Sequence, residues 1–187
     1  MSDDGKQRSF DVAMAEFRAL RDEIGQRATF SHTLININAV ATGVIAGLVA
    51  NNPNRVILLL VPAVFSPVLG LLWLDHAHNI RNMGDYINST LRPLICQLAG
   101  DDRLLAWEEH VDQYERRRWL RVVPLGVPVL ILFAAVPVAA LARTVAHLDS
   151  TWQGLVWTTG MLLSIAFLFL WTRLIALPLF LKTPDET

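Results

Sequence analysis

The chain has 187 residues, one domain's worth, and a formal net charge of −1 from 16 basic and 17 acidic side chains. That balance offers no positive field for nucleic acid. With 53% hydrophobic residues the charge is segregated, almost absent from four stretches and dense between them. The single cysteine, Cys96, excludes an intrachain disulfide and reads as a small apolar residue on a helix.

In chain order, Met1 to Arg8 is polar and has no apolar core. No cleaved signal peptide is therefore expected, and the first apolar segment must itself direct insertion. Phe10, Phe17 and Ile24 recur seven apart, with Ala13 and Leu20 between them and charges elsewhere, Arg18 and Asp22 four apart. Residues 1–31 are therefore expected to form an amphipathic helix that continues into the first apolar stretch. About 20 apolar residues cross the ~30 Å hydrocarbon core of a bilayer as a helix. Four segments qualify: Thr33 to Ala50, Val56 to Leu74, Val122 to Leu141, and Trp152 to Thr172 with a possible extension to Leu181. Asn51-Asn52-Pro53-Asn54 joins the first two and Ala142 to Thr151 the last two. Connections this short join antiparallel neighbours. The sequence thus predicts transmembrane hairpins over 32–74 and 122–181 and a tail at 182–187.

Between the hairpins, residues 75–121 read as a helical hairpin. A first helix from Asp75 to Leu94 is closed by Pro93 and Gly100, and a second, capped by Asp101, runs Arg103 to Trp119 with the stripe Leu104, Trp107, Val111, Tyr114. The predicted fold class is an all-α integral membrane protein: four transmembrane helices, a cytoplasmic helical hairpin between the second and third, and an amphipathic N-terminal helix. Orientation follows from Lys and Arg. Fourteen lie in the N-terminal part, the 75–121 loop and the C-terminal part, and only Arg55 and Arg143 on the opposite side. The positive-inside rule then places both termini and the long loop in the cytoplasm, with the bacterial inner membrane as the expected location. Trp73, Trp119, Trp152 and Trp171 fall near span ends, where Trp is favoured. Arg116, Arg117 and Arg118 form an anchor before the third span that can meet anionic headgroups.

Candidate functional residues are polar groups where lipid disfavours them. His32, Thr33, Asn36 and Asn38 open the first span. They read either as the lining of a pore or polar pocket or as interhelical hydrogen bonds. Gly43 and Gly47 permit close helix approach, within the hairpin or between subunits. Pro62, Pro67, Pro124, Pro128 and Pro137 bend their helices and can serve as hinges, although membrane helices tolerate proline. Below the second span lie Asp75, His76, His78, Asn79, Arg81, Asn82, Asp85 and Tyr86, which Trp107 and Glu108 of the next helix could face. This segment is a candidate ligand pocket or helix interface, or else a solvated ion-paired helix. His76 and His78 are two apart and point to different helix faces, so no metal is expected. Arg173 can snorkel to the cytoplasmic interface. Asn88-Ser89-Thr90 matches a glycosylation acceptor, which cytoplasmic placement makes irrelevant.

No Gly-x-Ser-x-Gly, His-Glu-x-x-His or phosphate-loop motif occurs, and no acidic residue lies deep in a span. Neither an enzyme, a cofactor nor a proton-coupled carrier is expected. The run Ala19-Leu20-Arg21-Asp22-Glu23-Ile24, with Trp73, His76, Ile80, Gly84, Tyr86 and Ile87 after the second span and Trp107-Glu108 beyond, resembles a family of small bacterial four-transmembrane-helix proteins. The resemblance covers most of the chain, implies the topology, and carries no activity or site residue. Four such helices enclose little, so the expected function is a homo-oligomeric channel or pore-type effector in the lipid bilayer, gated through its cytoplasmic helices. One alternative is a non-conducting anchor or scaffold whose cytoplasmic hairpin binds a soluble protein or small-molecule ligand. Another is a membrane enzyme or lipid-binding protein using Asp75 to Tyr86.

Overall fold

The computed structural model describes residues 3–101, 104–105 and 126–176, and among these the chain is helical with no strand. Helix α1 spans Asp3–Asn51 without a break. No proline interrupts it, so the helix of the amphipathic N-terminal segment continues into the first apolar stretch. Pro53 ends it by forcing the preceding residue out of the helical region. Asn52 is extended (φ −148°, ψ 95°), and its side chain accepts the Asn54 N–H at 3.2 Å. A 3-10 helix, Pro53–Leu59, follows where an α-helix was expected from Val56. Pro62 has no N–H for the Leu58 carbonyl, which instead shares the Leu60 N–H with Ile57.

Helix α2 spans Leu60–Tyr86, passes through a π turn at Ile87–Leu91 and becomes α3, Arg92–Ala99. Pro93 therefore does not close the helix, contrary to expectation. Gly100 alone does, at φ +72°, donating its N–H to the Cys96 carbonyl at 2.9 Å. Of the helix expected from Arg103, only Leu104 and Leu105 are among the described residues, and they are not helical. Leu104 and Leu105 form a turn, with Leu105 left-handed at φ 58°. That conformation costs about 1–2 kcal/mol, offset by packing of the Leu105 side chain on an apolar core. The rest of that predicted helix, with Trp107, Glu108 and Arg116 to Arg118, lies outside the described residues.

The third apolar helix, Gly126–His147, contains a π turn at Ile131–Ala135 before its C-terminal part, α4, Val136–Thr144. Ser150 and Gln153 then form a capping box. The Ser150 side chain takes the Gln153 N–H at 3.3 Å, and Gln153 Oε1 accepts from Asp149 and Ser150 at 2.7 and 3.3 Å. Helix α5 runs Thr151–Trp171 into a π turn at Thr172–Ala176. The extension towards Leu181 is not described. Each π turn ends two residues before a proline: Pro93, Pro137 and Pro178. A proline ring presses on the carbonyl four residues back, and a wider turn moves that carbonyl aside.

Four helices are long and apolar enough to cross a membrane: Asp4–Asn51, Pro53–Ala99, Gly126–His147 and Thr151–Ile175. The chain forms two compact units, Met1–Phe30 with His76–Arg118, and Ser31–Asp75 with Trp119–Thr187. In the first, Ala13 of α1 packs on Ile87, Leu91 and Ile95, flanked by Phe10, Phe17, Leu20 and Ile24. These α1 residues are the stripe visible in the sequence. In the second, all four apolar helices meet. Leu34, Leu69, Leu74, Val129, Phe133, Ala134 and Phe167 form one core cluster, and Leu60, Ala63, Ala140 and Leu141 another.

Candidate functional site

The polar residues that open the first apolar stretch separate in space. Asn38 is completely buried. Its Oδ1 accepts the Ser66 hydroxyl of α2 at 2.7 Å and, at 3.5 Å, the Thr42 hydroxyl one turn along α1. Its Nδ2 donates to the Leu132 carbonyl at 3.3 Å. That carbonyl is free for a reason written in the chain. In an α-helix it would accept the Val136 N–H, but the π turn diverts that N–H to Ile131, and the next residue, Pro137, has none. One amide thus joins three helices and satisfies every group it meets. This is interhelical hydrogen bonding, the second of the two readings open for Asn38, in a site closed to solvent.

His32, Thr33 and Asn36 are exposed on the outside of the chain. Asn36 shares its face of α1 with Val40, Gly43 and Gly47, all exposed. A methyl added at Gly43 or Gly47 would have no atom within 4 Å. Among the described residues that face has no partner within the chain. Close packing inside the chain occurs at two other glycines. A Cβ at Gly70 would lie 2.8 Å from the Phe167 ring and 2.9 Å from Phe133 Cβ. One at Gly160 would lie 3.0 Å from the Ala63 carbonyl oxygen, which Pro67 leaves without its helical donor. Their signal was present as Ser66-x-x-x-Gly70 and Gly160-x-x-x-Ser164, two small residues four apart, and sequence analysis did not single them out.

The segment below the second apolar stretch is an ordinary exposed helix face for much of its length. His78, Arg81, Asn82, Asp85 and Tyr86 are exposed, and His78 Nε2 and Asn82 Nδ2 pair at 3.1 Å along the helix. Asn79 and His76 are half-buried, and His76 stands edge-on to Phe30 at 5.0 Å, its Nδ1 buried without a partner among the described residues. Asp75 is exposed and belongs to the other unit. Tyr86 reaches furthest. Its hydroxyl donates to Glu16 of α1 at 2.8 Å, and that hydrogen bond and the carboxylate's charge push the phenol above its ordinary pKa of 10.0. Glu16 was not singled out by sequence analysis, since nothing local marks a partner 70 residues away.

The geometry builds one closed polar knot, one unpartnered face on α1 and one exposed polar helix surface. No protein-family model, curated protein or solved structure matches this chain.

Proposed function

We propose that the chain is an integral membrane protein that assembles as a homo-oligomeric channel or pore-type effector, with α1 at the subunit contact. Two features support bilayer residence. The four apolar helices have the required length, and large apolar side chains stand exposed on every one of them, among them Val40, Val61, Phe65, Ile131, Leu162 and Phe169. Water penalises such a surface and lipid does not. The positive-inside rule orients both termini and residues 76–118 towards the cytoplasm of a bacterial cell.

The observation that carries the oligomer is the mismatch between polarity and burial. Of the four apolar stretches, only the first carries asparagine, at Asn36 and Asn38. Yet only 11% of its apolar window is buried, against 44% for the second. An unsatisfied polar group in hydrocarbon costs several kcal/mol. Packing α1 against copies of itself through Gly43 and Gly47 takes Asn36 out of lipid and places it on a shared wall. Asn38, committed to Ser66 and Leu132, leaves that wall to Asn36, with His32 and Thr33 towards its cytoplasmic end. Arg116 to Arg118 are assigned to headgroups.

The test is ion flux into liposomes bearing the purified protein. Asn36→Leu is expected to abolish or strongly alter flux while leaving the protein folded. Absence of flux from the unaltered protein under any voltage or ligand would remove the channel reading. The rival reading, a non-conducting anchor, draws on the exposed polar surface of Arg81, Asn82 and Asp85, which suits a soluble partner or ligand. It predicts no flux and a protein captured by that surface.

A further inference from the structure

The Leu132 carbonyl has two possible donors, and the helix geometry sets which of them it depends on. With Ile131–Ala135 in a π turn, Val136 N–H goes to Ile131 and Leu132 is met by Asn38. Were the turn to tighten to α, Val136 N–H would shift by one carbonyl to Leu132, and that carbonyl would no longer depend on Asn38 for its donor. Neither arrangement is free of cost. The π turn depends on a side chain from another helix, and the α turn sets the Phe133 carbonyl against the Pro137 ring. We propose that Ile131–Ala135 is a register switch in the third apolar helix and that Asn38 is its latch.

The lengths of the bonds say which side opens. Asn38 is held to Ser66 of α2 at 2.7 Å and to Leu132 at only 3.3 Å, beyond the usual hydrogen-bond range. Release therefore parts the third helix from α1 while α1 and α2 stay joined. Among the described residues, the two sides of the turn are also unequally fixed. Beyond the turn, Trp157 Nε1 of α5 donates to the Leu141 carbonyl at 2.9 Å, and Gly160 lies against Ala63 and Leu141. Before the turn, Gly126-Val127-Pro128-Val129-Leu130 has no polar side chain and contributes only Val129 and Leu130 to the core. The moving part is residues 126–130. Losing one residue of register rotates them by about 100° and slides them about 1.5 Å along the axis, taking Val129 off the core. The switch is independent of whether the protein conducts.

Electron–electron spin-distance measurements on full-length protein in lipid nanodiscs test this. In a Cys96→Ser background, labels at the exposed positions Val127 and Phe169 span the hinge, and labels at Val138 and Leu155 lie beyond it as control. Asn38→Ala removes the latch. Pro137→Ala favours the α register by removing the ring that presses on the Phe133 carbonyl, without weakening the helix. Both are expected to shift the 127–169 distance by about 5 Å or more, from the rotation on a helix ~10 Å wide, with 138–155 unchanged. An unmoved 127–169 distance in both variants overturns the proposal. So does movement or broadening of the control pair, which marks general loosening.

Discussion

Asn36 and Asn38 are two residues apart and meet opposite surroundings. A helix turns about 200° over two residues, so one faces the bundle and the other faces away. Asn38→Leu strands the Ser66 hydroxyl and the Leu132 carbonyl in an apolar interior, and is expected to cost about 1–3 kcal/mol. Asn36→Leu removes no bond within the chain and is expected to stay within ~0.5 kcal/mol. Reversible unfolding in mixed micelles distinguishes them; equal costs would contradict the burial pattern. Tyr86 yields a titration. Its raised pKa means the protonated phenol is favoured in the folded protein. The Glu16 bond is therefore intact below pH 10.0 and lost as pH climbs through the raised value. In a Tyr114→Phe background, phenolate absorbance should appear at higher pH than for a free phenol, and Glu16→Gln should bring it down. That the first span needed an interior partner for polar groups was legible in its composition. Which asparagine would have it was not, because that depends on the angular position of α2 and the third helix around α1.

At the scale of the element, proline explains most departures from regular helix. Pro53 starts a 3-10 segment, Pro62 prolongs it, and Pro93 and Pro137 follow π turns. Sequence analysis read Pro93 as a terminator because an interior proline removes a hydrogen bond. The helix instead widened by one residue upstream, and Ile87 and Leu91 of that wide turn are almost completely buried in the core of their unit. Burial of two large aliphatic side chains, at about 1.5–3 kcal/mol each, offsets the lost regularity. Glycines divide by the same logic. Gly160→Ala improves helix propensity by about 1 kcal/mol but drives a methyl to 3.0 Å from a backbone oxygen that cannot yield. It is expected to destabilise by about 1–3 kcal/mol. Gly43→Ala meets open space and should leave the single chain equally stable or better by up to ~1 kcal/mol. Thermal melts of both variants in one detergent check the contrast.

For the whole molecule, the membrane reading predicts that the protein stays in the pellet when membranes are washed with alkaline carbonate, and that tags at residues 1 and 187 are both protected in intact cells. Native mass spectrometry from detergent is expected to show an oligomer that Gly43→Ile and Gly47→Ile dissociate without unfolding the chain. A monomer from the unaltered protein would remove α1 as a subunit contact. Four apolar stretches, their short joints and the lopsided arginines were readable directly, because span length and charge placement are one-dimensional properties that lipid and water select residue by residue. The stripe Phe10, Ala13, Phe17, Leu20, Ile24 was readable for a similar reason, since helical periodicity is local. Tertiary structure alone decided that Asn38 rather than Asn36 is buried, that Gly70 and Gly160 rather than Gly43 and Gly47 pack within the chain, and that Leu132 offers its carbonyl across the bundle. Each depends on which faces of separate helices meet, and that is settled by the joint packing of four rods rather than by the preferences of any one.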